Sequence, residues 1–413
     1  MEIIKDKQLS KFDHRELNKD LEIFFFDENI GQGLPVLLKN GTIIKNLIQG
    51  FIREKEAEYE CQEVISPVLA DPSLYQKSGH LSHYKDYIFP TIEKENERFQ
   101  LRPMTCPHHC MIYKRKIHSY RDLPVWLCEH SILHRFESSG SLKGLERVRW
   151  MELSDNHVFV SEDQLKDMFK KCFSFVSEVF NKFKIKVDRF VCSLHDKDNV
   201  KYHDDEQLWI KSENSLISAL EELQIDFVKI KGEAAFYGPK LDMEVKAIDG
   251  KNITFATIQF DFLLPKKFDL SYINSQGNQE FPIIIHYSSI GSYQRFISIL
   301  LEQNQGKLPF WLSPVQLVLM PLTDNQKDIK VLKFCEDLKS ELKPKIRLEI
   351  WDDKRLNYRI RKIHKLNIPA YIVIGEKEID GEDFTLSYEY DSKKVKLNRN
   401  KLIDKLNEMN SEI

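Results

Sequence analysis

The sequence predicts an α+β chain in two parts: a large antiparallel sheet flanked by helices, then a smaller part in which strands and helices alternate. Three observations carry this. Residues 224–262, reading IDFVKIKG and then KLDMEVKAIDGKNITFATIQFDF, alternate around an Asp249-Gly250 turn, as paired strands with a tight hairpin do. The stretches 42–59 and 163–184 return apolar residues at three- and four-residue steps, the pattern of amphipathic helices. At PFWLSP the texture changes. PVQLVLMPL, a polar helical stretch, IRLEIWD, the basic YRIRKIHKLN and AYIVIG follow in turn, which implies a βαβ unit and a separate α/β domain. The boundary falls near residue 310, giving parts 1–309 and 310–413.

In chain order, DHRELNKDLEIFFFDE spaces its apolar residues helically within residues 13–30. GQGLPVLLKNG then reads as turn, short strand and turn. The helix from Thr42 to Tyr59 uses Ile43, Ile44, Leu47, Ile48, Phe51 and Ile52. CQEVISPVL is a strand whose Pro67 confines it to an edge or to the end of pairing. From about 85 to 160 short β-like runs recur, among them HSILHRFE and HVFV, separated by the loop SSGSLKGLERVR. IGSYQRFISILLEQ reads as a helix.

A chain of 413 residues, 42% hydrophobic, suits a soluble globular protein of two or three domains. A net charge of −3 makes no general electrostatic demand for nucleic acid, so any such binding must come from local basic patches. No apolar run is long enough to span a membrane. The opening MEIIKDKQLS has neither the layout of a signal peptide nor that of a transit peptide. Seven cysteines without a paired-spacing framework point to a reducing, cytoplasmic setting.

LRPMTCPHHC places Cys106, His108, His109 and Cys110 within five positions. Read alone, it is either a four-ligand zinc knuckle or one part of a site whose other members lie elsewhere. In HRFE, Arg135 and Glu137 stand two apart and share a strand face. The next loop carries Lys143, Arg147 and Arg149. Clustered Arg suits phosphate, because the guanidinium fork is planar and always charged; a solvated charged surface is the alternative.

These segments stand in an order that resembles one family. DHRELNKDLEIF is similar to the catalytic-domain entry of class II aminoacyl-tRNA synthetases, and within them of the threonyl-tRNA synthetase family. CQEVISPVL with LYQKSGHLSHYKDYIF resembles the first class II motif and its sequel, and LRPMTCPHH the family's metal-cysteine segment. SYRDLPVWLCEHSILHRFESSGSLKGLERVR resembles the second motif. AAFYGPKLDMEV, TIQFDFLLP and HYSSIGSYQRFISILLE complete the core, the last as the third motif. PVQLVLMPL through IPAYIVIGEKE is similar to the C-terminal anticodon-binding domain.

The resemblance implies a six- or seven-stranded antiparallel sheet flanked by helices, then a five-stranded α/β anticodon-binding domain. It implies one zinc per subunit on Cys106, His157 and His286, with a position left open for substrate. Cys110 is then a core residue, His108 a surface residue and His109 a wall of the pocket. The open position suits the amino and hydroxyl groups of L-threonine, with Asp155 accepting from the hydroxyl. Arg135 bridges the carboxylate and the α-phosphate of ATP, Glu137 holds the adenine amino group, and Met151 covers the ring. Arg147 and Arg295 bind the γ-phosphate end with Mg²⁺, while Tyr237, Lys240 and Gln259 line the amino-acid and phosphate pocket. His80 stands near the tRNA hydroxyl that attacks the adenylate. The implied activity is threonine–tRNA ligation on tRNA(Thr), by a homodimer whose interface involves the first motif around Pro67. The catalytic resemblance starts near residue 10, so the expectation is no editing domain and no clearing of seryl-tRNA in cis.

The chain departs from the family in places. In RWMELSDNH, Met151 stands for a stacking Phe and Leu153 for a pocket Gln; Thr254 stands for Gln and Gln294 for the third-motif Glu. Glu378 matches an anticodon-contacting position, but Asp353 stands for Asn, and Ser387 and Glu389 occupy usual Arg positions. Acidic residues repel phosphate, which weakens or reroutes anticodon recognition. The basic helix YRIRKIHK then carries backbone contacts, or is a solvated face. A second reading stays open: a synthetase-like chain that serves as a tRNA-binding or regulatory module, or activates another small amino acid.

Overall fold

The computed structural model describes residues 10–197, 199, 202, 206–322, 329–343, 345–381, 383–390 and 393–411. The chain divides into two compact units. One holds residues 26–35 and 49–299; the other holds the residues up to Phe25, 36–48 and those from Leu300 on.

The first unit is built on an eight-stranded sheet. Its strands are β1 (Gln62–Glu63), β2 (Val125–His134), β3 (Trp150–Val160), β4 (Arg189–Leu194), β5 (Phe227–Lys231), β6 (Lys240–Lys246), β7 (Asn252–Asp261) and β8 (Ile283–Ser288). In space they run β5-β4-β6-β7-β8-β3-β2-β1. The six inner strands are antiparallel, whereas β1 pairs parallel with β2 and β5 parallel with β4. The sheet therefore exceeds the expected six or seven strands by its parallel edges. IDFVKIKG is not antiparallel, as its alternation suggests, because the helix Glu206–Glu222 carries the chain back between β4 and β5; parallel neighbours need such a crossover. CQEVISPVL breaks into a two-residue strand, β1, ahead of Ser66-Pro67, and Leu69, which begins a separate short strand paired with Gln100–Leu101.

The main helices are α1 (His14–Leu21), α2 (Lys39–Glu58), α3 (Cys106–Lys114), α4 (Leu165–Phe183), α5 (Glu206–Glu222) and α6 (Tyr293–Gln303). α4 buries Phe169, Cys172, Val176, Val179, Phe180 and Phe183 along one stripe. Each large apolar side chain so removed from water contributes about 1.5–3 kcal/mol. The helix expected within 13–30 stops at Leu21: Glu22 takes a left-handed φ of 49°, its N–H closing on Asn18. Phe24–Phe25 then pairs with Val36–Leu37 as a short ribbon.

The second unit contains a five-stranded sheet, as the resemblance implied. Its strands are β9 (Leu317–Pro321), β10 (Leu348–Ile350), β11 (Ala370–Ile374), β12 (Asp383–Tyr388) and β13 (Lys394–Asn398), in the order β10-β9-β11-β12-β13. β9, β10 and β11 are parallel; β12 and β13 continue antiparallel. Its main helices are α7 (Ile329–Leu342), α8 (Leu356–Lys365) and α9 (Arg399–Ser411). Leu317 and Leu319 face Val331, Leu338 and Leu402, while Val318 and Met320 face Trp351 and Ile363. A strand covered on both sides reads as an unbroken apolar run, which is why PVQLVLMPL does not alternate. Among the described residues, no helix is long and apolar enough to cross a membrane.

Candidate active site

Strand register builds the site. Lys240 on β6 lies opposite Gln259 on β7, Gln259 opposite His286 on β8, and His286 opposite His157 on β3. Directly opposed residues share a face, so four strands present one transverse row of polar side chains. This row floors a cleft of about 420 Å³. Cys106, Arg135, Asp155, Tyr237 and Arg295 also line it, together with Leu153 and Thr254.

Within the cleft, Cys106, His157 and His286 bring their donor atoms within 4.8 Å of one another, and all three are buried. Cys106 opens α3, and the histidines come from adjacent strands. His286 Nε2 lies 2.8 Å from the Asp261 carboxylate, which also accepts the Leu263 and Leu264 N–H groups. His157 Nδ1 lies 2.9 Å from His109 Nδ1, and His109 Nε2 lies 3.2 Å from Glu129. The other Glu129 oxygen accepts from Arg102 at 2.8 Å. Each of these two histidines thus has one nitrogen oriented by a partner, as metal-binding imidazoles do, and His157 Nε2 lies 3.9 Å from Asp155. Burial, aided by His109 and His286, holds His157 well below the usual histidine range, keeping it neutral as a ligand must be. Burial pushes the Cys106 thiol well up, with Cys110, Asp155 and Asp261 adding to it; a cation at the triad opposes that rise. One sulfur and two imidazoles with a fourth position open form a donor set that fits zinc.

In the rest of CPHHC, Cys110 lies where expected, and His108 and His109 do not. Cys110 is fully buried in a core with Tyr113, Leu127 and Phe159. His108 is not at the surface: it is 8% exposed, beside Tyr75 of the short helix Pro72–Ser78, and neither ring nitrogen has a partner among the described residues. Burial and the nearby Arg102 lower it to about 4. Nor does His109 line the cleft; it is fully buried and acts on His157.

Arg135 and Arg295 come from different elements. Arg135 follows β2 directly and donates to Pro103 O at 3.3 Å and Met104 S at 3.1 Å. Arg295, in the first turn of α6, donates to Glu146 O at 2.9 Å and Thr254 O at 3.3 Å. Burial and Arg147 lower Arg295 from its ordinary value, yet guanidinium stays charged in proteins. Asp155 is raised by burial, against His109, Thr105 and His286. The Tyr237 hydroxyl donates to Gln259. Lys240 is held 2.5 Å from Asp242, whose carboxylate also accepts from Thr257 and Ser193.

A second cavity, about 250 Å³, shares Arg135, Met104 and Tyr84 with the cleft and adds His80 and Glu137. His80 is 1% exposed, with Nδ1 at 2.7 Å from Ser78 Oγ and Nε2 at 3.8 Å from Cys106 S. Arg147 is half-exposed, 4.0 Å from Glu137. Met151 lines neither cavity; it packs on Leu133 and Val148. The sequence reading missed Asp261 and Glu129. Both left a signal: an acid inside a buried strand, as in VWLCEHSIL and TIQFDF, must have a partner.

In the second unit, Glu378 accepts the Gly375 N–H at 2.8 Å, Asp353 is exposed and Ser387 is buried. Glu389 lies 2.5 Å from His364 of α8. Arg359 of the basic helix is buried and donates to the Pro321 and Trp351 carbonyls; Arg361 is exposed.

Residues 89–304 match the tRNA synthetase class II core domain (G, H, P, S and T), and residues 316–409 match the family of the anticodon binding domain. A threonine–tRNA ligase of a Geobacillus species is 44% identical over 89% of this chain and 57% of its own length. The threonine–tRNA ligase of Ureaplasma parvum serovar 3 is 45% identical over 95% of this chain and 68% of its own. The chain therefore spans between about half and two thirds of these curated relatives. A solved structure of the RNA binding domain of threonyl-tRNA synthetase from Cryptosporidium parvum Iowa II superposes with a TM-score of 0.89 at 32% identity, covering 96% of this chain and 98% of that one. The fold, the ordered motifs and these relatives together show that the chain belongs to the class II aminoacyl-tRNA synthetases, in the threonyl-tRNA synthetase family.

Proposed function

We propose that the chain is a threonine–tRNA ligase, which joins the threonine carboxylate to the α-phosphate of ATP with release of pyrophosphate, and then passes the threonyl group from the adenylate to a hydroxyl of tRNA(Thr) with release of AMP. The observation that carries this is the meeting of Cys106, His157 and His286 in a cleft that also holds Arg135 and Arg295. Cys106, His157 and His286 would hold a zinc ion, which would supply Lewis acidity toward the amino and hydroxyl groups of threonine. Asp155 accepts from the substrate hydroxyl, and Tyr237 with Gln259 borders the amino group. Arg135 holds carboxylate and α-phosphate together and stabilises the charge that develops between them. Glu137 reads the adenine from the adjoining cavity. Arg147 and Arg295 hold the γ-phosphate end of the Mg²⁺–ATP complex, and Lys240 supports the phosphates. His80, at the second cavity, assists the tRNA hydroxyl in losing its proton.

Specificity follows from Asp155. Valine presents a methyl where threonine has its hydroxyl, leaving a buried carboxylate unpaired, and such a site discriminates by about 10⁴–10⁵-fold. Serine keeps the hydroxyl and lacks one methyl, a difference of about 10–200-fold. ATP–pyrophosphate exchange tests this: threonine first, serine measurably lower, valine absent. Exchange with another small amino acid, or none with threonine, supports the module or altered-substrate reading suggested by Leu153 and Thr254 in the cleft wall. The purified 413-residue chain is expected to leave seryl-tRNA intact; rapid hydrolysis would refute this.

The matched spans, 89–304 and 316–409, support a catalytic domain at 1–309 and an anticodon-binding domain at 310–413. Ile65 of the first motif, 90% exposed in the single chain, supports a homodimer that covers it. Seven free cysteines support a reducing cytoplasm.

A further inference from the structure

A buried polar chain that takes no part in the cleft ends at the first residue of α6. The Tyr293 hydroxyl lies 2.7 Å from His130 Nδ1 on β2, and His130 Nε2 lies 3.1 Å from Glu56 on α2. Ser154 donates to the other Glu56 oxygen at 3.4 Å. Tyr293 is fully buried, and the Glu56 and His130 side chains are each 3% exposed. One proton arrangement satisfies all three residues: the phenol donates to Nδ1, and Nε2–H donates to the carboxylate. None of them lines the cleft.

We infer that Glu56, His130 and Tyr293 are positioning residues that fix the start of α6 and, through it, the guanidinium of Arg295. Arg295 lies two residues beyond Tyr293 in the first helical turn, and its N–H takes Ser292 Oγ at 3.2 Å. Its guanidinium is aimed by two backbone carbonyls, Glu146 at 2.9 Å and Thr254 at 3.3 Å. These bonds hold only while the helix start stays in register with the sheet. Two further ties act there: Gln294 accepts the Glu152 N–H at 3.1 Å, and Ser292 bridges Leu153. Apolar residues filling the same volume stabilise a fold at least as well as a buried charged network. What the network adds is direction, since a hydrogen bond fixes orientation as packing alone does not.

This inference rests on the reading that Arg295 holds the γ-phosphate end of ATP, and direct ligand titration separates the two. Calorimetric titration of Mg²⁺–ATP and of AMP into the full chain is compared with Tyr293→Phe, which deletes one hydroxyl. Expected is a loss of ATP affinity of roughly 3- to 10-fold, the effect of about one buried hydrogen bond, with AMP affinity unchanged. General loosening of the core would weaken both ligands. Combined with Arg295→Lys, Tyr293→Phe should add nothing further, because both act through one guanidinium. His130→Gln, whose amide can accept from Tyr293 and donate to Glu56, should retain ATP affinity, and His130→Leu should lose it; this pair decides the matter if Tyr293→Phe does not fold. Unchanged ATP affinity in Tyr293→Phe, equal loss for AMP, or additivity with Arg295→Lys would overturn the relay. Weakened ATP binding in a chain without threonine-dependent exchange would keep the relay and overturn the ligase reading. A chain that binds no ATP would overturn both.

Discussion

Glu129 is enclosed by Arg102, His109 and Ser66, and its acidity records the enclosure. Burial pushes its carboxyl up, but His109, Arg102 and Ser66 prevail and hold it at about 2, against an ordinary 4.5. A group with a depressed folded pKa stabilises fully above its unfolded value and loses that contribution as pH falls through the folded one, here about 3 kcal/mol. Glu129→Gln should therefore lower stability at neutral pH and flatten its decline between pH 4.5 and about 2, as urea titrations across that range would show. Asp261 plays a different part, since it orients His286. Asp261→Asn should weaken zinc binding by about 10–100-fold, measured by competition with a chelator. Of this site, the local sequence exposed only the cysteine. His157 and His286 are single histidines in apolar strands, and only the order of family motifs joined them to Cys106. His108 is buried beside Tyr75 rather than at the surface, because the resemblance implies only which residues hold the metal, not what packs against the others.

At the scale of elements, the YGPK turn between β5 and β6 carries two cleft residues, Tyr237 and Lys240. A Cβ at Gly238 would sit 1.8 Å from the Phe260 carbonyl oxygen on β7. Gly238→Ala should force turn and strand apart, destabilising by about 1–3 kcal/mol and raising the threonine KM in pyrophosphate exchange. Gly250→Ala, with nothing within 4 Å of its Cβ but a φ of +80°, should bring only strain, about 1 kcal/mol, and leave that KM alone. Long periodic elements were legible: α2, α4 and the β6–β7 hairpin. α5 was not, because only Trp209, Ser212, Leu216, Ala219 and Leu220 are buried along its 17 residues. β4 is a six-residue run, too short for period alone to separate strand from helix. With both unseen, nothing in IDFVKIKG could show a parallel partner.

For the whole molecule, the five-stranded α/β sheet was legible from the change of texture at PFWLSP, because a sheet covered on both faces has a composition of its own; that residues up to Phe25 and 36–48 group with it was not. The proposed homodimer would cover one edge of the large sheet. β1 is an edge strand, and edges invite pairing or cover; just beyond it Ile65 is 90% exposed, and Ile117 is 87% exposed. Ile65→Asp should shift the protein toward monomer in sedimentation velocity, with loss of aminoacylation.

The transverse row Lys240–Gln259–His286–His157 also limits how such a chain can change in length. Its members come from four strands that share one phase of the pleat. Removing one residue from within any of them turns that strand's inward set outward, taking Lys240, Gln259, His286 or His157 out of the cleft in a single event. Insertions in the connecting loops leave the phase untouched. Drift in length is therefore confined to the loops, and the site is inherited as a fixed interval between strand ends.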